Sequence, residues 1–361
     1  MGIDKLDTRI GFKPKEEAGG DNVWNKFGLA KPVEEEKLLE EVFMAAFRRS
    51  LAINAGQKSG PRFPLTTFLS ELIGWARTGK YDTESKIFEE VFSELSEEEK
   101  IALSEVFGQL SNLIGDLCDA IDNGIDYRRK RARETSEEDE EVKTYWAQMN
   151  QKGAALLYFA SHLDKNDPRR RSVKLFFEIV ETIGSVKDMP FAEEFYNFVV
   201  GARAQASLMK MLKEAGYYII FLDWDNEEEI LKFDVKGGTD FVAIHPDGII
   251  FLVDAKARSK DEESRESLHV AKIDEVPFNT QRHGPIKDIV LKYLENSAKE
   301  SRYSEVIRNA HGFGRVNPIV ITLPSTQYIS FDGLGIIIEQ SIAKQVTNNL
   351  AIIAYTKRNK I

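Results

Sequence analysis

The sequence predicts an α/β domain preceded by a mostly α-helical N-terminal domain. Three observations predict it. From about Glu34 to Val186, apolar residues recur at helical spacing almost throughout. Around Lys187–Pro190 the pattern changes, and short β-branched and aromatic runs begin to alternate with helical stretches. Within that second half, Phe241–His245 and Ile249–Val253 flank Pro246-Asp247-Gly248, the pattern of a β-hairpin. The expected divisions are an extended arm over residues 1–33, a helical domain for recognition or assembly over 34–187, and an α/β domain over 188–361.

Taken in order, residues 1–32 have few apolar side chains and are read as an arm. Leu38, Leu39, Val42, Phe43, Ala46 and Phe47 make one helix face; Leu65–Arg77 and Ile87–Leu95 are further helices. Ser96-x-x-Glu99 is a capping box for a helix running to about Ile121, ended at Asn123-Gly124. Arg128, Arg129, Lys130, Arg131 and Arg133 then precede Glu134 and Glu137–Glu141, two charge blocks read as a solvated, locally paired segment, with a phosphate-contacting patch checked by its acidic neighbour as the alternative. Asp167-Pro168 signals the start of a helix over Ser172–Ile183. Arg169, Arg170, Arg171 and Lys174 open it, and three consecutive arginines are expected to be exposed.

Phe191–Ala215 reads as a helix capped by Gly216, followed by a strand at Tyr217–Leu222. Asp223–Glu229 is an acidic turn, and Glu229–Asp234 is expected to be a short strand leading to the hairpin. Asp261–His283 is polar and loop-like. Helices are expected at Ile286–Lys299 and Tyr303–Ala310, a strong strand at Pro318–Leu323, a helix at Ile336–Val346 and a last strand at Leu350–Tyr355.

Composition narrows the function classes. The chain of 361 residues is long enough for two domains. No apolar run approaches the roughly 20 residues of a membrane span. Met1–Gly20 is polar and charged, unlike a secretory leader, so a cytoplasmic location is expected. The single cysteine, Cys118, lies in an apolar helical pattern and is read as a structural thiol. Net charge is −10, but it is uneven: residues 1–200 carry 28 Lys/Arg and 37 Asp/Glu, whereas 201–361 carry 21 and 22. A nucleic-acid partner needs only a local basic face.

The chemistry concentrates in the hairpin. If Pro246-Asp247-Gly248 is a three-residue loop, His245 pairs with Ile249 and Asp240 falls opposite Asp254. Opposed side chains lie about 5 Å apart on one face. Lys256, two residues on, shares that face. Facing carboxylates repel unless something positive sits between them. A hard divalent cation such as Mg2+ suits such oxygen ligands. Lys256 would then orient or help deprotonate a water. A two-residue turn at Asp247-Gly248 would instead pair Asp240 with Ala255 and spoil the site.

Thr239-Asp240, thirteen intervening residues and then Asp254-Ala255-Lys256 after an apolar strand resemble the active-site signature of the PD-(D/E)XK nuclease superfamily. The resemblance covers about Phe191–Leu323. It implies a restriction-endonuclease-like mixed β-sheet flanked by helices, with residues 188–361 as the nuclease domain. It further implies catalytic Asp240, Asp254 and Lys256, and Mg2+, or Mn2+ in its place, held by Asp240, Asp254 and the Ala255 carbonyl. Thr239 stands where the family often has proline. The family's glutamate on the first core helix corresponds to Gln205, eleven residues before Gly216; Glu194 lies on the same helix face. Both are supporting candidates.

Arg258 and Lys260, with Arg169, Arg170 and Arg171, are the candidate contacts to substrate phosphate; Gln281 and Arg282 are further ones. His245 falls on the face opposite Asp240 and is read as core or edge; His162 and His269 have no partner at ligand spacing, and His283 and His311, in glycine-adjacent loops, are read as surface residues with substrate contact as the alternative. The expected function is a Mg2+-dependent endonuclease on double-stranded DNA, of type II restriction-like character and acting as a homodimer. The alternatives are a repair or junction-resolving nuclease, or a fold of this kind kept as a binding or assembly module.

Overall fold

A computed structural model of the chain describes residues 137–185, 192–247, 249–257, 268–272, 316–324 and 331–356. The expected arm, the helices between Glu34 and Ile121, Cys118, and the basic block Arg128–Arg133 lie outside the described residues. So do Arg258, Lys260, Gln281, Arg282, His283, His311 and the helices expected over 286–310. The chain divides into two compact units. One contains Ser136–Tyr158 and Val200–Ile361; the other contains Phe159–Val199.

The elements are α1 (Glu137–Ser161), α2 (Pro168–Ser185), α3 (Ala192–Glu214), β1 (Tyr218–Phe221), α4 (Glu227–Ile230), β2 (Phe241–Ile244), β3 (Ile250–Ala257), β4 (His269–Lys272), β5 (Val316–Leu323) and α5 (Gln340–Thr356). A π-helical turn, Leu231–Val235, continues α4. The five strands form one mixed, open sheet in the order β1-β2-β3-β5-β4. β1, β2 and β3 are antiparallel neighbours, β5 runs parallel to β3, and β4 pairs antiparallel with β5.

Both faces of the central strands are covered. All four residues of β2 are buried, as are the first five of β3, the pattern of a sheet packed on two sides. On one face, Ile220, Val242, Ile244, Ile250, Leu252 and Val320 pack with Ala147 of α1 and with Ile230 and Phe233. Burial ends abruptly at the carboxyl end of β3, where Asp254 is buried, Ala255 half-buried and Lys256 exposed. Ligands of open α/β sheets bind outside the carboxyl ends of strands.

Several expectations are met. α3 ends in a Schellman turn: Gly216 has φ of 88°, its N–H donates to the Lys213 carbonyl, and the Tyr217 N–H donates to that of Leu212. α2 starts four residues earlier than expected, at Pro168, where Asp167 Oδ1 accepts the Arg169 N–H at 2.9 Å as an N-cap.

Three expectations are corrected. Glu229–Asp234 is not a strand but part of α4 and the π turn. Asn226 caps this helix by accepting the Glu229 N–H at 3.2 Å, and Glu227, Glu228 and Glu229 sit at its positive end. Leu350–Tyr355 is not a strand but the end of α5. Ile342, Val346, Leu350 and Ala354 are buried at a spacing of four, while Ile352 is 64% exposed; the local run of apolar residues is ambiguous, and only the longer period reveals the helix. His269–Lys272, expected in a loop, is edge strand β4, whose contribution is set by pairing with β5.

Among the described residues of the second unit, Phe177 stacks on Phe198 at 5.8 Å, with Phe176 set edge-on to Phe177 at 5.3 Å. Among the described residues, no helix is long and apolar enough to cross a membrane.

Candidate active site

The hairpin register decides whether a site exists. Phe241 pairs with Val253 and Ile244 with Ile250, and the His245 N–H donates to the Ile249 carbonyl at 2.8 Å. This is the register of the longer of the two expected turns, not of the two-residue one. One residue before this pairing, the Asp240 N–H donates to the carbonyl of Val253, the partner of Phe241, at 2.8 Å, which sets Asp240 beside Asp254 without continuing the regular ladder. Asp240 Oδ2 also accepts the Ala255 N–H at 2.6 Å. Lys256 follows on the same face, its Nζ 2.6 Å from Asp254 Oδ1. The Asp254 side chain is 1% exposed, whereas that of Lys256 is 54% exposed. Two acids and a lysine thus meet where the buried sheet opens.

A third acid joins them. Asp234, on the π turn, accepts a hydrogen bond from Gln151 Nε2 of α1 at 2.8 Å. Gln151 Oε1 accepts one from Gln205 Nε2 of α3 at 3.1 Å, and Gln205 Nε2 also donates to the Asp240 carbonyl at 3.1 Å. This chain of amides links Asp234 to the backbone of Asp240. The glycines between them make the link possible. The Gly238 N–H donates to the Asp234 carbonyl at 2.7 Å and the Thr239 N–H to that of Phe233 at 2.8 Å, closing the turn. Gly238 has φ of 57°, and a Cβ at Gly237 would meet the Phe233 oxygen at 2.3 Å.

The charges answer to this packing. Burial, and then the charges of Asp234 and Asp254, hold the Asp240 carboxyl well above the ordinary carboxylate range. Burial pushes Asp234 up to about 6, opposed by the Gln151 hydrogen bond and by Lys256, while Asp254 adds to the rise. Burial pulls Lys256 down, but Asp254 and Asp240 outweigh it and the ammonium ends well above its usual value. It is a firmly protonated cation, fitted to orient groups rather than to take a proton.

Asp240 and Asp254 are the side chains here that could hold a hard divalent cation such as Mg2+. The ion characteristically takes one or two carboxylates and completes its octahedron with waters and substrate phosphates. Among the described residues, no group of three or more His, Cys, Asp or Glu side chains is arranged to hold a metal ion. The candidates are therefore the pair Asp240 and Asp254, with the Ala255 carbonyl adjacent.

The other expected residues divide. Gln205 is brought to the site, but through its donor nitrogen, bonded to the backbone and Gln151 rather than offered as a charged ligand. Glu194 lies on α3, and its side chain is outside the described residues. The arginine cluster is not the exposed set expected. Arg169 is 17% exposed and forms a bidentate pair with Asp167, at 3.0 and 2.8 Å. Arg170 Nη1 donates to the Ala160 carbonyl at 2.9 Å, and Arg171 is half-buried. The first two hold the start of α2. His245 packs edge-on against Tyr217 at 5.1 Å, in keeping with its reading as core or edge.

Asp234 and Gln151 are the residues that sequence reasoning missed. The signal for Asp234 was the glycine pair between it and Asp240, which turns the chain back. Gln151 carries no signal, since its partners lie more than fifty residues away. In comparisons with known proteins, no family model, no curated protein and no solved structure matches the chain significantly.

Proposed function

We propose that this chain is a Mg2+-dependent endonuclease of restriction-endonuclease-like fold, hydrolysing phosphodiester bonds of double-stranded DNA. The observation that carries the reading is the cluster at the carboxyl end of β3: Asp240 Oδ2 accepts the Ala255 N–H at 2.6 Å, and Lys256 Nζ lies 2.6 Å from Asp254 Oδ1. Asp240 and Asp254 are the residues that would hold the cation. When bound, the cation polarises the scissile phosphate and makes a water nucleophilic near neutral pH. Lys256, held as an ammonium, orients the attacking water or the phosphate. The Ala255 N–H fixes one oxygen of Asp240, and Gln205 fixes the Asp240 backbone. Arg258 and Lys260, which follow β3 in sequence, are the proposed phosphate contacts. The proposed form is a type II restriction-like homodimer, because symmetric cutting of two strands needs two sites.

One observation favours a second reading, that of a domain that binds nucleic acid without cutting it. Gln205 brings the site no charge, donating through its Nε2 to the Asp240 carbonyl, and Lys256 already pairs with Asp254. The test is incubation of the purified protein with supercoiled and linear DNA, and with RNA, in Mg2+ or Mn2+. Discrete fragments support a restriction-like enzyme, and smears a structure-directed nuclease. Binding without cutting under every condition favours the second reading.

A further inference from the structure

The strongest unexplained feature of the molecule is Asp234. It is a carboxylate on a π turn, six residues before Asp240, and it takes no part in the mechanism above. Chains seldom retain a third acid beside two others, because like charges in a partly buried site repel. Here the acid is held in place by contacts from distant parts of the sequence. Gln151 of α1 donates to it at 2.8 Å, and the same Gln151 accepts from Gln205 of α3 at 3.1 Å. The π turn itself is closed by the Gly238 N–H on the Asp234 carbonyl and by a glycine at 237 that leaves no room for a Cβ. Two helices and a special turn thus converge to aim one carboxylate.

We propose that Asp234 is an outer-shell acid of the cation site formed by Asp240 and Asp254, with Gln151 and Gln205 as its positioning residues. The proposal rests on the metal-dependent reading of Asp240 and Asp254. No three acids among the described residues are arranged to hold an ion directly. Asp234 therefore acts from the outer shell, through its charge and by accepting hydrogen bonds from water around the cation. Such partners typically contribute 10- to 100-fold in metal affinity. The electrostatics agree: Asp234 senses Lys256 and Asp254, and Asp240 senses Asp234 ahead of Asp254. Among the exposed acids of the same segment, Glu228 is ion-paired to Lys232 and serves as a control.

The test measures binding of Mn2+ alone by titration calorimetry, together with melting of the metal-free protein. Wild type, Asp234→Asn, Asp254→Asn, Gln151→Leu and Glu228→Gln are compared. Asparagine keeps the acceptor for Gln151 and removes only the charge. The expected result is Mn2+ binding weakened about tenfold or more in Asp234→Asn, with a metal-free melting temperature equal to or above wild type. Glu228→Gln binds as wild type. Gln151→Leu keeps the charge but loses its aim, and binds more weakly than wild type; it decides the matter if Asp234→Asn does not fold. Unchanged affinity in Asp234→Asn, with Asp254→Asn abolishing binding, would overturn this proposal and leave the site reading intact. No Mn2+ binding by wild type, or equal binding by Asp254→Asn, would overturn both.

Discussion

Asp240 is tied to both neighbours of Asp254, its N–H on the Val253 carbonyl at 2.8 Å and its Oδ2 accepting the Ala255 N–H at 2.6 Å, which brings the two carboxylates together. Their apposition would be a liability in a purely structural sheet. It persists because Lys256 stands beside Asp254 at 2.6 Å.

That ion pair predicts a conditional role for the lysine. In Lys256→Ala the buried Asp254 loses its counter-charge, so the metal-free protein melts at lower temperature. Added Mn2+ restores part of the loss by binding the folded state. Differential scanning fluorimetry with and without Mn2+ checks this; equal destabilisation in both conditions contradicts it.

The raised acids predict a pH dependence. Asp234 ionises near 6 when folded and near the ordinary 3.8 when unfolded. Between about pH 4 and pH 6 the folded chain holds a proton that the unfolded chain has released, so stability falls as pH rises through this window. Asp234→Asn lacks this penalty. Metal-free Asp234→Asn is therefore expected to gain on wild type as pH rises from about 4 to about 7, a difference measured by urea unfolding. A difference independent of pH contradicts the electrostatic account.

Asp167 behaves oppositely. Burial alone would push its carboxyl up, but hydrogen bonds and charge from Arg169, with the Arg170 N–H, bring it below the ordinary value. Its stabilisation is complete above the ordinary carboxylate value and is lost as pH falls through the lowered one. Asp167→Ala should cost about 1 kcal/mol at neutral pH, as loss of an N-cap does, and the cost should shrink in strong acid. Urea unfolding at both pH values reads it.

Gly237→Ala tests the turn that carries Asp234 to Asp240. A Cβ there meets the Phe233 and Lys232 carbonyl oxygens at 2.3 and 2.8 Å. The backbone has to move, at a cost on the order of 2 kcal/mol, and Mn2+ binding is expected to weaken with it. Equal stability and affinity would show that the turn does not position the site.

Much of the site was legible because it is local. The sequence allowed two turn lengths, and the structure takes the longer one, pairing Ile244 with Ile250; Lys256 shares the Asp254 face by alternation alone. Gly216 announced the end of α3 through its unusual backbone. What failed was short or non-local. Leu350–Tyr355 has too few residues to separate a strand from the last turns of a helix. β4 owes its form to β5, some fifty residues away. The π turn at Leu231–Val235 reads as a strand when glycines 237 and 238 are taken as hairpin flanks rather than as helix terminators. Once that turn is misread, Asp234 has no reason to stand beside Asp240. The arginines at 169 and 170 look exposed in sequence, yet the Asp167 cap and the Ala160 carbonyl occupy them.

The most direct measurement is the rate at which purified protein nicks or linearises supercoiled DNA in Mg2+, for wild type beside Asp254→Ala and Lys256→Ala. The account predicts cutting that requires the divalent ion and falls at least about 100-fold in both variants, the scale of losing a group that stabilises the transition state. Cutting that survives in both variants, or no cutting by wild type with either Mg2+ or Mn2+, would contradict it.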